Sequence, residues 1–245
     1  MKDNFSSGSD QYLKFRPTYP SDFIDYLNAL VRNKGNAWDC GTGTGQLAVE
    51  LSRSFQHVFA TDISRSQLDN ALQADNISYS VQPAEHTHFR NKQFDLITVG
   101  QAIHWFDFEK FYAEVRRTAK DNAIFCAVGY RRIKVSEQVD SIITHFYENV
   151  LGGYWDAERQ YVDENYATIP FPFSEIETPR FEIKLNWTFE HFINYFNTWS
   201  AVKHFIKRNG HNPVDALANE VKGHWGDMPM REVSFPLLLR IGRLP

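Results

Sequence analysis

The sequence predicts an α/β fold built on a doubly wound, mostly parallel sheet. Three observations carry this. Short apolar runs alternate with helical segments from residue 37 to 129, a glycine-rich turn follows the first run, and a carboxylate closes the second. Strand, helix, strand repeated at that spacing describes βαβ units, whose ligand sites lie beyond the carboxyl ends of the strands.

The strands come first. "AWDC", "HVFATD", "ISYSV", "FDLITVG" and "NAIFCAVGY" are short, rich in β-branched and aromatic residues, and bounded by turn residues. Between them, "GQLAVELSRSF" and "SRSQLDNALQA" space apolar residues by three and four, as helices do. Ser64 is a candidate N-cap for the second. "FEKFYAEVRRTAK" predicts a third helix, with Phe108, Phe111, Tyr112 and Val115 on one face, ending in a turn at Asp121-Asn122.

After Tyr130 the rhythm changes. Val139, Ile142, Ile143 and Phe146 predict a helix over 135–150, followed by an irregular stretch to 175. "RFEIKLNW" alternates as a strand, "TFEHFINYFNTWSAVKHFIKRN" reads as one helix, and "REVSFPLLLRIGR" as a last strand. Pro236 implies an edge or a bulge there, because proline cannot donate to a ladder.

Composition narrows the function. A chain of 245 residues with 42% hydrophobic and 23% charged residues is an ordinary globular sequence, and no apolar run approaches the roughly 18 residues of a membrane span. "MKDNFSSGSDQ" has no signal-peptide core, so a cytoplasmic protein without membrane association is expected. A net charge of -4 offers no basic face to nucleic acid. The two cysteines, Cys40 and Cys126, fall in strand-like runs and read as core thiols, and no metal site is expected. Aromatic residues make up 15% of the chain, with a concentration in the second half that reads either as plain core or as the wall of an organic-ligand pocket.

The loop "DCGTGTGQLAVEL" sharpens the reading. Gly41, Gly43 and Gly45 alternate, so the stretch is either a tight turn or a cradle in which backbone approaches a nucleotide-like ligand. A dinucleotide fingerprint is a poor match, because Gln46 stands where its third glycine belongs. Asp62, closing the second strand, stands where an acceptor for a ribose diol is expected.

These residues resemble the first two motifs of class I S-adenosylmethionine-dependent methyltransferases. "VQPAEHTHF" is similar to the motif after their third strand, and "FDLITVGQAIHWFD" to the fourth motif of the type 11 subgroup. "YLKFRPTYP" and "TWSAV" resemble the small-molecule branch related to trans-aconitate methyltransferases. The resemblance implies a Rossmann-like, seven-stranded sheet with a C-terminal antiparallel strand and an aromatic-rich lid insertion. It implies one domain: a lid segment over 1–30, a cofactor-binding core over 31–130, a substrate-pocket insertion over 131–176, and completing strands and helices over 177–245.

It also implies site residues. Tyr12, Arg16, Asp39, Gly41, Thr42, Gly43, Gly45, Asp62, Ile63, Ala84, Glu85 and Gln101 are expected at the cofactor, and His104, Trp105, Phe106 and Trp199 at the acceptor. Asp39 would anchor the loop or, through water, the cofactor's ammonium; as a bare carboxylate it would cap the turn. Pro83 stands where many relatives carry an Asp for the adenine amino group, which shifts that task to the backbone at Ala84 and to Glu85. His104 is either a general base or a residue packed beside Trp105. Arg16 is either a lid residue able to hold a carboxylate or a surface arginine. Trp199 and His204, from the aromatic helix, are either further lid residues or, respectively, core and solvated face. The expected activity is methyl transfer to a small molecule such as an organic acid by a monomer or homodimer. The alternatives are a cofactor-binding protein without turnover and a nicotinamide-dependent oxidoreductase.

Overall fold

The computed structural model describes residues 14–245. Five parallel strands form the first half: β1 (Asn36–Cys40), β2 (His57–Asp62), β3 (Ile77–Val81), β4 (Phe94–Gly100) and β5 (Ala119–Tyr130). Between and before them run α1 (Ser21–Leu30), α2 (Gln46–Ser52), α3 (Arg65–Asp69) and α4 (Phe108–Thr118). The second half contributes α5 (Glu137–His145), α6 (Gln160–Asp163), β6 (Ser174–Glu175), β7 (Glu182–Trp187), α7 (Phe189–Asn197), α8 (Ser200–Asn209), α9 (Val214–Trp225) and β8 (Arg231–Arg243).

The sheet order is β3-β2-β1-β4-β5-β8-β6, with β7 also on β8. Eight strands stand where seven were expected, because β8 is long enough to be shared. It pairs β7 from Arg231 to Pro236 and β5 from Leu237 to Arg243, antiparallel throughout. Pro236 lies at the changeover between partners, so its missing amide falls at a junction of ladders.

Strand alternation divides the core. Ala37, Leu96, Ile124 and Val128 pack under α1 and α2 with Phe23, Leu27, Leu47 and Leu51, whereas Trp38, Ile97 and Phe125 pack against Phe111 and Val115 of α4. Helices on both faces make the sheet doubly wound. A third cluster holds most of the aromatic second half, including Phe146, Trp187, Phe192, Phe196, Trp225 and Phe235. The aromatic excess is therefore mainly core, and few of these rings reach a cleft.

Several sequence expectations change. Residues 21–30, expected as lid, are a helix with Phe23 and Leu27 fully buried, which confines any described lid to 14–20. The third helix ends at Thr118 instead of Asp121; β5 begins at once, and Asn122 takes a positive φ of 62° within it. α3 stops at Asp69, and the helix expected over 135–150 turns π-helical after His145. The long aromatic helix breaks into α7 and α8, because Thr198 Oγ1 bonds back to Tyr195 O at 2.6 Å and Trp199 is extended. Helices α1 and α9 went unread, α9 because Ala216, Ala218 and Gly223 dilute its apolar stripe. Ser64 caps α3 as expected, accepting from Gln67 N at 3.3 Å.

Loops at the sheet's carboxyl edge are fitted tightly. Gly45 has φ 76°, and a Cβ there would lie 2.2 Å from Tyr79 Oη, which donates to Leu72 O. Gly45→Ala is expected to cost about 2–4 kcal/mol in urea unfolding, the sum of a left-handed conformation and an overpacked contact. Adding Tyr79→Phe, which removes the clashing oxygen, should recover part of that loss.

Candidate functional site

The carboxyl ends of β1, β2 and β4 open onto a cleft of about 990 Å³. Its floor is the loop 41–45. Gly41, Gly43 and Gly45 all have positive φ, and at Gly43 the nearest atom to an added Cβ is Gln67 Oε1 at 3.8 Å, so this glycine faces open space. Backbone is therefore exposed to whatever the cleft holds.

Two carboxylates hold this floor. Asp39, almost fully buried, accepts from Thr42 Oγ1 at 2.6 Å and from Thr98 Oγ1 at 2.9 Å, tying the loop to β4. Burial raises its pKa to about 6, although both hydroxyls oppose the rise; the nearby Asp62 charge adds to it. Asp62 accepts from Gly43 N and from Ser64 N, each at 2.9 Å and each on a different oxygen. Asp62 lines the cleft at the carboxyl end of β2. Thr44 Oγ1 is buried in the cleft wall and meets no hydrogen-bond partner among the described residues.

The structure brings most of the expected cofactor residues together. Asp39, Gly41, Thr42, Gly43, Asp62, Ile63, Ala84 and Gln101 line the cleft, as do Trp105 and Phe106 from the acceptor list. Gly45 stands behind it as the first cap of α2. Glu85 does not line it: its Oε1 accepts from Asp107 N at 3.2 Å. Tyr12 lies outside the described residues. Sequence reasoning missed Tyr19, Thr44, Gln67, Gln82 and Tyr130. Of these, Tyr19, Thr44 and Gln82 lie within motifs already singled out, whereas Tyr130 has no local signal because only the return of β5 beneath residues 14–20 brings it in.

Gln101 marks a boundary. It has a φ of 56°, rare for a residue with a side chain, and its amide donates to Val128 O at 2.8 Å. Together with Trp105 it lines both the main cleft and a second one of about 520 Å³. The second cleft is walled by Arg16, His104, Trp155, Asp156, Arg159, Trp199 and Ser200. The 131–176 segment thus supplies Trp155, Asp156 and Arg159.

His104 is buried beside Trp105, at 5.0 Å between ring centroids, and its Nδ1 has no partner among the described residues. Burial, reinforced by the Arg159 charge, pushes its pKa down to about 3. It is neutral near pH 7 and a weak proton acceptor, which disfavours the general-base reading. Arg16 is held by the fold: Nε donates to Thr198 Oγ1 at 2.9 Å, Nη1 to Tyr130 Oη at 3.1 Å and Nη2 to Thr198 O at 3.4 Å. Its cation also lies 5.3 Å from the Tyr195 ring centre. His204 stands outside both clefts, with Nδ1 2.9 Å from Tyr154 O. No helix among the described residues is long and apolar enough to cross a membrane.

Comparison with known proteins identifies the family and the fold. The family model described as "Methyltransferase domain" matches residues 38–127, which span the glycine loop and reach into β5. A provisionally named methyltransferase of Dictyostelium discoideum is 30% identical over 249 residues, covering 98% of this chain and 95% of the relative. A solved structure from Anaeromyxobacter dehalogenans, provisionally named a type II methyltransferase, superposes with a TM-score of 0.87 at 37% identity, covering 94% of this chain and 99% of that one. A provisionally named methyltransferase from Bacillus halodurans shares the fold at 17% identity, with a TM-score of 0.52 over 92% of this chain and all of that one.

Asp39 supplies a pH test of the loop. Its folded pKa of about 6 exceeds the ordinary 3.8, so the folded state binds the proton more tightly and ionisation costs stability as pH rises between those values. Asp39→Asn cannot ionise. Its unfolding free energy relative to wild type should rise by up to about 3 kcal/mol between pH 4 and pH 7, measured by urea unfolding across that range.

Proposed function

The chain belongs to the class I S-adenosylmethionine-dependent methyltransferases, and on that premise we propose that it binds S-adenosylmethionine in the main cleft and methylates an oxygen of a small organic acid held in the second. The observation that carries this is the junction of the two clefts at Gln101 and Trp105: a glycine cradle on one side, an aromatic cavity lined by two arginines on the other.

The residues present fit the cofactor. Gly43 opens toward the cleft where a Cβ would fill it, Thr44 Oγ1 is buried there without a partner among the described residues, and the Asp62 carboxylate lines the cleft at the end of β2, where a ribose diol is expected. Ile63 and Ala84 supply apolar contact for the adenine. The Gln82 side chain is committed to Ser80 Oγ and His88 N, and Glu85 to Asp107 N, so reading of the adenine edge falls to backbone near Ala84. Asp39, ionised above pH 6, favours the cofactor's ammonium by charge.

S-adenosylmethionine, when bound, supplies an electrophilic methyl on a sulfonium that departs as a neutral thioether. The protein's work is then to hold an acceptor oxygen in line and keep water out, an effect worth on the order of 7–11 kcal/mol at best. Trp105 and Phe106 exclude water at the junction. A carboxylate attacks without losing a proton, so a site whose one lining imidazole is neutral and weakly basic suits it better than an alcohol or amine.

Calorimetric titration tests the reading. Micromolar affinity is expected for S-adenosylmethionine and its demethylated product, with at least a tenfold loss in Asp62→Ala. Affinity should also weaken as pH falls through about 6 and Asp39 takes up its proton. Absence of binding to folded protein would sink the proposal. Saturable binding with no methyl transfer to any of a panel of carboxylic acids would point instead to a cofactor-binding protein without turnover.

A further inference from the structure

The two arginines of the second cleft are not equivalent. Arg16 spends Nε and both terminal amino groups on Thr198 and Tyr130. Arg159 makes its side-chain hydrogen bond through Nε alone, to Tyr147 Oη at 2.9 Å, with Asp163 Oδ1 3.6 Å from the same nitrogen. Neither Nη group of Arg159 has a hydrogen-bond partner among the described residues.

The rest of its surroundings aim and stiffen it. Tyr147 Oη donates to the Asp163 carboxylate, within 2.7 and 2.9 Å of its two oxygens, which fixes the phenol that receives Nε. The guanidinium lies over the Trp155 and Tyr147 rings, 5.0 and 5.4 Å from their centres. The turn carrying it, Ala157–Arg159, packs against Ile103–Trp105, and its charge reaches His104. A planar cation gripped by Nε, with its fork unspent, is built to receive a carboxylate bidentately. Pre-ordering by Tyr147 and stacking reduces the entropy cost of that capture.

We propose that Arg159 is the acceptor-recognition residue of this protein, taking an anionic group of the substrate that is not the group methylated. The inference rests on the assignment of the second cleft to the acceptor. Arg159 stands between that cleft and a third one behind it, where its anchors Tyr147 and Asp163 lie, and is not part of the main cleft, so an anion taken by its fork in the second cleft is remote from the glycine loop. A carboxylate pinned there would also be a poor nucleophile, its lone pairs engaged by two N–H groups. The acceptor must then be two-ended: an anion for Arg159 and, across the Trp155–Trp199 walls, a second oxygen nucleophile reaching the junction at Gln101 and Trp105. Asp156, on the same wall, disfavours a second anion beside the first. The expectation of an arginine clamp thus moves from Arg16, whose donors tie residues 14–20 to α7 and β5, to a residue with no sequence motif around it.

The experiment compares wild type, Arg159→Gln and Arg159→Lys by calorimetric titration with succinate, glutarate and their diamides, with and without saturating S-adenosylhomocysteine. Wild type is expected to bind a diacid at least tenfold more tightly than its diamide. Arg159→Gln should lose about 10- to 100-fold for the diacid, the scale of a charge-assisted bidentate pair. Arg159→Lys should recover part of that loss, while affinity for S-adenosylhomocysteine stays unchanged. In methyl-transfer assays the Gln variant should raise KM for the diacid more than it lowers kcat. Equal diacid affinity in wild type and Arg159→Gln overturns the proposal, as does a wild type that takes up diacid no better than diamide. Failure of S-adenosylhomocysteine to bind would instead refute the cofactor assignment, and the diacid titrations without it still decide the role of Arg159.

Discussion

The site depends on a carboxylate that the fold almost fully buries. Asp39 survives at the end of β1 because Thr42 and Thr98 both donate to it, and that pair of bonds stitches the glycine loop to the neighbouring strand. Even so, burial dominates, which is why the proton is held to about pH 6. Asp62 repeats the device from β2, binding Gly43 N and Ser64 N and so joining the loop to the cap of α3. The cleft floor is therefore a set of backbone amides immobilised by two anions, with the glycines permitting the backbone to take that shape.

Around this floor, charge and aromatic area are divided. The aromatic second half forms a core of its own, and the rings that face a cleft do so at its margin with the first half. Trp199 shows the double duty: nearly buried among Phe146, Phe196 and Tyr195, it still presents an edge to the second cleft. Arg16 and Arg159 divide similarly. The first is consumed in holding residues 14–20 against Thr198 and Tyr130, and the second keeps its fork unspent. A half-buried cation bonded through all three of its nitrogens is structural, whereas one gripped at a single nitrogen retains capacity for a ligand.

Glu114 provides a similar restraint beneath the loop after β3. It is buried, yet its pKa lies below the ordinary value: burial would raise it, but Arg117 and the Thr87 hydroxyl and amide outweigh that cost. The carboxylate thereby moors the loop after β3, which carries Ala84, to α4. None of its partners touches the cleft, and their effect on it is through the position of the loop.

The sequence by itself determined the parallel half of the fold. Period-two and three-to-four-residue patterns set β1 to β5 and the helices between them, and the alternating glycines with Asp39 and Asp62 marked the main cleft, because both features depend on residues close together in the chain. It failed where distant segments decide. The sharing of β8 between β7 and β5, the burial of α1 as core, the break at Thr198 and the kink at Asn122 each follow from which partner is available in space. The same reason put the hydrogen-bonding states of Arg159 and Arg16 beyond the sequence. Whether a guanidinium is spent or available depends on Thr198, Tyr130, Tyr147 and Asp163, and only tertiary packing brings those residues to it.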